Sequence, residues 1–426
     1  MTRPTPPLPV LVCLCLCAGV GLASAQQSSF DDFRNLGLLE DRRREPSPLS
    51  IAGHTLDPAF NLKLGGIATP HAFAAASSGY NDNVLRGDHE APGVRLRREA
   101  YGRLEAGLRL DTELSDHRLE LSYNAAVLEY ADSGDLDNLT QSARARLDLY
   151  AVDVEGHVNA GWQRTIFPQS IQLTGLVRLD TYQAAAYVEG RLGKVGLRLG
   201  GSFARLEYQN RQLQTLDQRN YRADVQFYGR ITPKLRALGE YNVFLVVYDE
   251  GRSGNLNDYL VHQARIGIDG RLFPKLSTSL KVGAAFQDVD VTFGRDRREF
   301  TGFVAEVSAG YSPVEGTNLT ASYARTLQPS NQSNFLINDE VRFEVGQSIT
   351  PKVNASAFVR YNRGEVSRLN RIRAHINRYT AGASIQWRIK GWLSLRAGYE
   401  FTNLISPFLN SDYRIHIATA SIAVGL

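Results

Sequence analysis

Residues 100–114 read AYGRLEAGLRLDTEL, and their strict alternation decides the fold. Every second side chain, including Leu104 and Leu110, is small or largely apolar, whereas the intervening ones, such as Arg103, Glu105 and Asp111, are mostly charged or polar. A period of two residues is typical of a β-strand with one apolar and one polar face. At about 15 residues the strand is roughly twice as long as the usual strand of a soluble sheet. The stretch predicts a strand long enough to cross a membrane.

The same alternation continues to the end of the chain, for example at Val195–Phe203 and Val341–Val345. From residue 72 onward we recognise about 18 such segments, one per roughly 20 residues, which is the spacing of membrane strands plus their connections. The alternative, a soluble β-sandwich or propeller, is disfavoured by the strand length and by the regular charged face.

The connections alternate between short turns and longer polar loops. Ser115-Asp116 and Thr232-Pro233-Lys234 are short turns, whereas residues 165–178 and 363–378 are predicted to be the longest loops. The sequence therefore predicts an all-β fold: a transmembrane antiparallel up-and-down β-barrel of about 18 strands, with about 16 or about 20 as alternatives, short periplasmic turns and longer extracellular loops.

The composition argues against a helical membrane protein and against a nucleic-acid-binding protein. The chain has 426 residues, 43% of them hydrophobic, and its mean hydropathy of -0.26 argues against a bundle of membrane helices, each of which needs about 20 consecutive apolar residues. With 48 Lys and Arg against 44 Asp and Glu, the net charge is only +4, so nucleic acid is not an expected partner. A barrel explains the low hydropathy, because its polar half faces a lumen.

The amino terminus has the features of a secretory signal peptide. Arg3 precedes a short apolar run, which contains Cys13, Cys15 and Cys17 and ends in Ala23-Ser24-Ala25. We expect residues 1–25 to be removed after Ala25, residues 26–70 to form a periplasmic extension or plug, and residues 71–426 to form the barrel. This predicts a protein of the outer membrane of a Gram-negative bacterium, with the barrel insertion machinery and outer-membrane lipid and lipopolysaccharide as partners.

A short motif suggests a family. Tyr80, Asn81, Asp82 and Asn83, at the outer end of the first barrel strand, resemble the Tyr-Asp/Asn-Asp-Asn motif of the putative beta-barrel porin type 2 family. Turns such as Thr232-Pro233-Lys234 also resemble those of the family. The resemblance covers about residues 60 to 426 and implies an outer-membrane β-barrel with a porin-like role or a role in surface polysaccharide export, with periplasmic export components as partners. It implies no catalytic residues.

The charged strand face supplies the candidate functional residues. A barrel of this size is wide enough for a water-filled pore, and a mixed wall with a modest positive excess can favour anions or acidic sugars. The alternative is that these charges pair across neighbouring strands and satisfy one another. The predicted lumen-lining residues are Arg103, Glu105, Arg109, Asp111, Arg144, Arg146, Arg198, Arg222, Asp224, Arg265, Arg342, Glu344, Arg360 and Arg396.

A second set lies near the predicted late loop. Arg363, Arg368, Arg371, Arg373 and Arg378 are candidates for contact with lipopolysaccharide phosphates or an anionic glycan, because guanidinium groups chelate oxyanions. A solvated loop is the alternative.

Neither a catalytic site nor a cofactor is predicted. The eight histidines are scattered without the spacing of a metal site, and His375 and Asp412 lie near predicted outer loops without a nucleophile motif. We therefore predict a channel for hydrophilic solute or, by the resemblance, for polysaccharide. A plugged structural or surface-interaction barrel is the alternative, and an outer-membrane enzyme comes third.

Overall fold

The computed structural model describes residues 49–51, 54–56, 67–84, 97–132, 134–166, 177–249, 258–289, 300–328, 335–366, 374–406 and 412–425. The predicted signal peptide and its cleavage site lie outside the described residues. Among the residues described, no helix is long and apolar enough to cross a membrane.

Eighteen strands close into one barrel, which confirms the predicted fold class and strand number. Each strand pairs in antiparallel fashion with its neighbours in sequence, and the last strand pairs with the first. The barrel strands are β3 (Ala68–Asn81), β4 (Glu99–Leu114), β5 (His117–Tyr130), β6 (Asn138–Tyr150), β7 (Val154–Thr165), β8 (Leu179–Leu192), β9 (Val195–Tyr208), β10 (Gln218–Thr232), β11 (Leu235–Tyr248), β12 (Tyr259–Phe273), β13 (Leu276–Val289), β14 (Phe300–Tyr311), β15 (Thr317–Gln328), β16 (Leu336–Thr350), β17 (Val353–Val366), β18 (Ala374–Lys390), β19 (Leu393–Ile405) and β20 (Tyr413–Gly425).

Two further strands precede the barrel. β1 (Leu49–Ile51) and β2 (His54–Leu56) form a small antiparallel hairpin within the predicted N-terminal extension. The first barrel strand begins at Ala68, three residues before the predicted boundary at residue 71.

One end of the barrel carries short turns and the other carries longer connections; we call them the turn end and the loop end. Ser115 shows why the turns are tight: its φ of 57° is the left-handed conformation that lets the chain reverse within two residues. The prediction of a long loop over residues 363–378 is wrong. β17 continues to Val366 and β18 starts at Ala374, because the alternating pattern extends further towards the loop end than the arginine-rich composition suggested.

The two wall faces differ in character. Large apolar side chains such as Leu104, Leu108 and Ile266 point outward and are about two-thirds exposed. An exposed apolar belt of this extent around a barrel is typical of a lipid-facing surface. Closure satisfies the backbone hydrogen bonds that lipid cannot provide.

Candidate functional site in the barrel interior

Strand pairing determines which side chains face inward, because residues in register share a face. Arg265 of β12 reaches over β13 to Glu306 of β14, with 3.2 Å between Nη1 and Oε2, which identifies this face as the concave one. By this register all the predicted lumen-lining residues face inward, namely Arg103, Glu105, Arg109, Asp111, Arg144, Arg146, Arg198, Arg222, Asp224, Arg265, Arg342, Glu344, Arg360 and Arg396. That they line a conducting pore stays a prediction.

Several of these charges pair along a single strand. Residues two apart share a strand face, and Arg103 Nη2 lies 3.0 Å from Glu105 Oε2. Arg109 and Asp111 form a second pair at 2.9 Å, within a strand interior where both residues are buried. The wall is therefore less basic than its arginines alone suggest, because an arginine is often followed, two residues on, by its own counter-charge.

A buried charge cluster spans four neighbouring strands. Glu240 of β11 is paired with Arg265 of β12 and lies 3.1 Å from Lys281 Nζ of β13. Arg265 also contacts Glu306 of β14. Two cations therefore lie against two carboxylates. This arrangement agrees with the alternative given above, in which wall charges pair across neighbouring strands. Such a group is costly to disrupt, because removal of one member leaves a buried charge without its partner.

Other inward-facing arginines contact neutral side chains. Arg222 Nη2 donates to Asn242 Oδ1 at 2.5 Å, and Arg396 Nη2 donates to Ser384 Oγ at 3.1 Å. The Arg198 guanidinium lies 3.9 Å from the ring centroid of Tyr187. Hydrogen bonds and a cation–π contact thus hold these guanidinium groups in defined orientations.

An apolar ring at the loop end was missed by the sequence analysis. These residues face inward and are buried near the loop end of their strands. The signal was present in segments such as Leu245–Tyr248, where alternation gives way to a continuous apolar run. We call this set the loop-end collar; it comprises Leu128, Tyr130, Leu179, Leu206, Tyr208, Val246, Tyr248, Tyr259, Val261, Val289, Phe300, Val304, Leu336, Val366, Ile376, Leu404, Tyr413 and Ile415.

The N-terminal hairpin contacts the inner wall at the barrel seam. The fully buried His54 ring bonds through Nδ1 to Ser394 Oγ at 2.5 Å and through Nε2 to Ser421 Oγ at 2.7 Å. Leu56 packs with Phe73, Ala75 and Ala423. The hairpin thus contacts β19, β20 and β3 from inside, near the turn end.

The family motif lies on the seam itself. Regular pairing between β20 and β3 ends at Ile417↔Asn81. Beyond it, the His416 backbone N–H donates to Asp82 Oδ1 at 2.7 Å, and Asn83 Nδ2 donates to the Arg414 carbonyl oxygen at 3.0 Å. Asn81 Oδ1 accepts from the Asn83 backbone N–H at 2.9 Å. Side chains of the motif therefore add hydrogen bonds between β3 and β20 beyond the last residue pair of the regular ladder.

The predicted lipopolysaccharide set is not brought together as one surface. Arg363 pairs in register with Asp339 and faces outward, whereas Arg378 faces inward and is buried. Arg368, Arg371 and Arg373 lie outside the described residues. His375, the enzyme candidate, faces outward opposite Glu365, and Asp412 accepts from the Ser406 backbone N–H at 2.5 Å. Among the described residues, no group of three or more His, Cys, Asp or Glu side chains is arranged to hold a metal ion.

A closed eighteen-strand antiparallel barrel with an apolar outer belt defines the class of outer-membrane β-barrels. The model of the family Putative beta-barrel porin 2 matches residues 71–425. The chain therefore belongs to this family and is a porin-like outer-membrane barrel, which confirms the predicted resemblance.

The chain is also similar to solved structures at low sequence identity. OccK11 (OpdR) of Pseudomonas aeruginosa is 14% identical over 84% of this chain and 96% of its own, with a TM-score of 0.45. OccAB4 of Acinetobacter baumannii is 10% identical over 84% of this chain and 98% of its own, with a TM-score of 0.47. Likeness at this level assigns no substrate. No curated protein matches the chain.

Proposed function

We propose that the protein is a channel for small hydrophilic solutes in the outer membrane of a Gram-negative bacterium. The observation that carries the proposal is the inward charged face of a closed eighteen-strand barrel, since a barrel of this number of strands encloses an interior wider than its side chains fill. The lumen-lining residues identified from the sequence are the proposed pore wall. Within that wall, Arg222 and Arg396, which donate to Asn242 and Ser384, are the proposed contacts for anions.

Liposome swelling tests this proposal. Vesicles containing the refolded protein are transferred into iso-osmotic solutions of a neutral sugar or of its acidic counterpart. The proposal expects swelling with both solutes, faster with the acidic sugar, and a loss of that preference in the double variant Arg222→Gln, Arg396→Gln. A matched control is Arg363→Gln, which alters an outward-facing arginine. Absence of swelling with a correctly folded barrel contradicts the channel proposal.

A more specific proposal is that the channel exports polysaccharide, and the family resemblance supports it. In that case the barrel is the outer segment of an export system with periplasmic components. Deletion of the gene is then expected to trap polymer in the periplasm, whereas a passive solute channel predicts normal polymer at the cell surface.

A plugged barrel is the second candidate, and the N-terminal hairpin favours it. The contacts of His54 with Ser394 and Ser421 hold that hairpin against the inner wall. Deletion of residues 49–56 is expected to increase solute flux if the hairpin obstructs the pore. Unchanged flux limits the hairpin to a role in stability.

The signal peptide, the partners and the absence of catalysis are also proposed. Residues 1–25 are the proposed signal peptide, cleaved after Ala25, and the barrel insertion machinery is the proposed partner in biogenesis. Arg363, with Arg368, Arg371 and Arg373, is proposed to contact lipopolysaccharide; Arg378 is left out because it faces inward. The protein is proposed to have no enzymatic activity and no cofactor. Purified protein without hydrolase activity, and the same result for His375→Ala, is the expected outcome.

A further inference from the structure

The barrel wall has a notch between β14 and β15. Register pairing of these strands runs from Tyr311↔Leu319 at the turn end only to Ala305↔Arg325. Both strands nevertheless continue towards the loop end, where β14 stays paired with β13 up to Phe300 and β15 stays paired with β16 up to Gln328. Residues 302–304 therefore separate from residues 326–328 while each side keeps its other neighbour. We call this gap the wall notch.

Apolar side chains cover the wall notch from inside and continue through it. The Phe300 ring lies over Gly302, since a Cβ atom at Gly302 would fall 2.5 Å from its ring. Phe300 also packs against Phe335, with ring centroids 5.4 Å apart, across the strand that lies between them. On the outer face Leu327 packs against the loop-end collar, and Phe303 is 54% exposed. An apolar surface thus runs from the interior to the lipid-facing side.

Two polar side chains beside the loop-end collar have unmet hydrogen bonds. Gln218 and Asn220, on the inner face of β10, are 1% and 2% exposed. Within the described part of the chain, neither their amide oxygens nor their amide nitrogens have a hydrogen-bond partner. Their register neighbours are the apolar Leu206 and Val246. Burial of an unpaired amide is costly, so this pair is suited to a ligand that supplies both donors and acceptors.

The need for both hydrogen-bond donors and acceptors limits the chemical class of the ligand. A carboxylate or phosphate only accepts hydrogen bonds and leaves both amide oxygens unmet, whereas hydroxyl groups both donate and accept. From β10 to β14 there are four strand spacings, about 19 Å along the wall. Val246, Val261 and Val289 of the loop-end collar lie on the inner surface between them, together with the polar Gln287. A hydroxyl-bearing head at the amides therefore suits a molecule with a long apolar chain that reaches the wall notch.

We propose that the outer half of the barrel binds an uncharged, hydroxyl-bearing amphiphile with a single acyl chain and exchanges it with the outer leaflet through the wall notch, with Phe300 and Phe335 as the gate. This activity is separate from passage of hydrophilic solutes along the barrel axis.

Photolabelling tests the binding site. The probe is monomyristoylglycerol with a photoactivatable group on its chain, added to the full mature barrel in phosphatidylcholine nanodiscs, and labelled peptides are identified by mass spectrometry. The proposal expects labelling around residues 300–304 and 335–337, reduced at least about tenfold in Gln218→Leu and Asn220→Leu. Gln226→Leu, on the same face of β10 nearer the turn end, is the matched control and is expected to label as the unaltered protein does. Labelling confined to the outer belt, and equal in all variants, overturns the proposal.

A pair of engineered cysteines tests the wall notch independently. The chain's only cysteines are Cys13, Cys15 and Cys17, in the predicted signal peptide. Phe303→Cys with Leu327→Cys would be opposite one another if pairing continued, and Ala309→Cys with Ala321→Cys are opposite in the register observed. Mild oxidation is expected to close the second pair and not the first. Linking the first pair with a short bismaleimide is expected to abolish labelling of residues 300–304 and to leave solute swelling unchanged. If both pairs close equally, the wall is continuous and the route does not exist.

Discussion

Asp82 and His416 join the first and last strands of the barrel where their regular pairing ends. Asp82 Oδ1 accepts a hydrogen bond from the His416 backbone N–H at 2.7 Å, and the Asp82 backbone N–H donates to the His416 carbonyl oxygen at 3.2 Å. The two residues are separated by most of the chain, so their contact forms only when the barrel closes. The motif that indicates the family therefore has a structural role at the seam.

The first prediction concerns this seam. Asp82→Ala removes the acceptor and is expected to lower the free energy of unfolding by about 1–3 kcal/mol, because the His416 N–H loses its partner. Asp82→Asn keeps a side-chain oxygen and is expected to lose less than half of that. Urea unfolding of the refolded barrel, followed by the gel shift between folded and unfolded forms, measures both. Equal stability of Asp82→Ala and the unaltered protein contradicts the role.

The second prediction concerns the buried charge cluster. Glu240→Gln leaves Arg265 and Lys281 together without the carboxylate that both contact. The expected loss is about 3–5 kcal/mol of unfolding free energy, the cost of breaking a buried pair by removing one partner. Glu315→Gln, in an exposed turn, is the control and is expected to change stability by less than about 0.5 kcal/mol. The same urea titration distinguishes them, and similar values for the two variants would refute the argument.

The third prediction is a dependence of hairpin docking on pH. Burial lowers the pKa of His54 to about 4, and the positive charge of Arg396 contributes to the shift. His54 is therefore harder to protonate while the hairpin is docked. In a released hairpin the His54 ring takes up a proton near its ordinary pKa of 6.5. Docking is fully stable above about pH 6.5 and weakens as the pH falls towards 4, by up to about 3 kcal/mol.

Hydrogen exchange of residues 49–56 at pH 7.5 and pH 4.5 measures this change, with intrinsic exchange rates corrected for pH. Protection is expected to fall on acidification. His54→Gln keeps polar contacts but cannot titrate in this range, so its protection should not depend on pH. A pH dependence of equal size in His54→Gln would show that another group is responsible.

The fourth prediction concerns close approach of two strands. A Cβ atom at Gly283 would meet the carbonyl oxygen of Ala264 on the neighbouring strand, whereas a Cβ atom at Gly190 meets nothing within 4 Å. Gly283→Ala is expected to destabilise the barrel by about 1–3 kcal/mol, since overpacking forces the backbone to shift. Gly190→Ala is expected to be neutral or slightly stabilising. Refolding yield and urea midpoint check the pair; a neutral Gly283→Ala variant would contradict the geometry.

Much of the fold could be predicted from the sequence, because a two-residue period is a local property. Alternation at residues 100–114 specified both the strand and the side chains that share its inner face. The loop-end collar could not be obtained in this way: where both faces are apolar, as at Leu245–Tyr248, periodicity no longer distinguishes inside from outside. β1 and β2 have three residues each, too few to show a period, and the contact of His54 with Ser394 depends on closure of the whole barrel.

The contacts among the charged residues of the inner wall could not be predicted from the sequence either. The sequence places Arg109 and Asp111 on one face, but it does not show that they pair, nor that Arg265 reaches across β13 to Glu306. Those contacts depend on strand stagger and on the curvature of the wall. The predicted length of the loop over residues 363–378 was wrong for a related reason, since charged residues such as Arg363 can lie on an outward strand face near the loop end.

Single-channel conductance of the refolded mature barrel in a planar bilayer tests the central claim most directly. The account predicts discrete current steps, larger after deletion of residues 49–56 if the hairpin obstructs the interior, and an anion preference that decreases in the Arg222→Gln, Arg396→Gln variant. A folded, inserted barrel that passes no current, with or without the hairpin, would contradict the assignment as a channel.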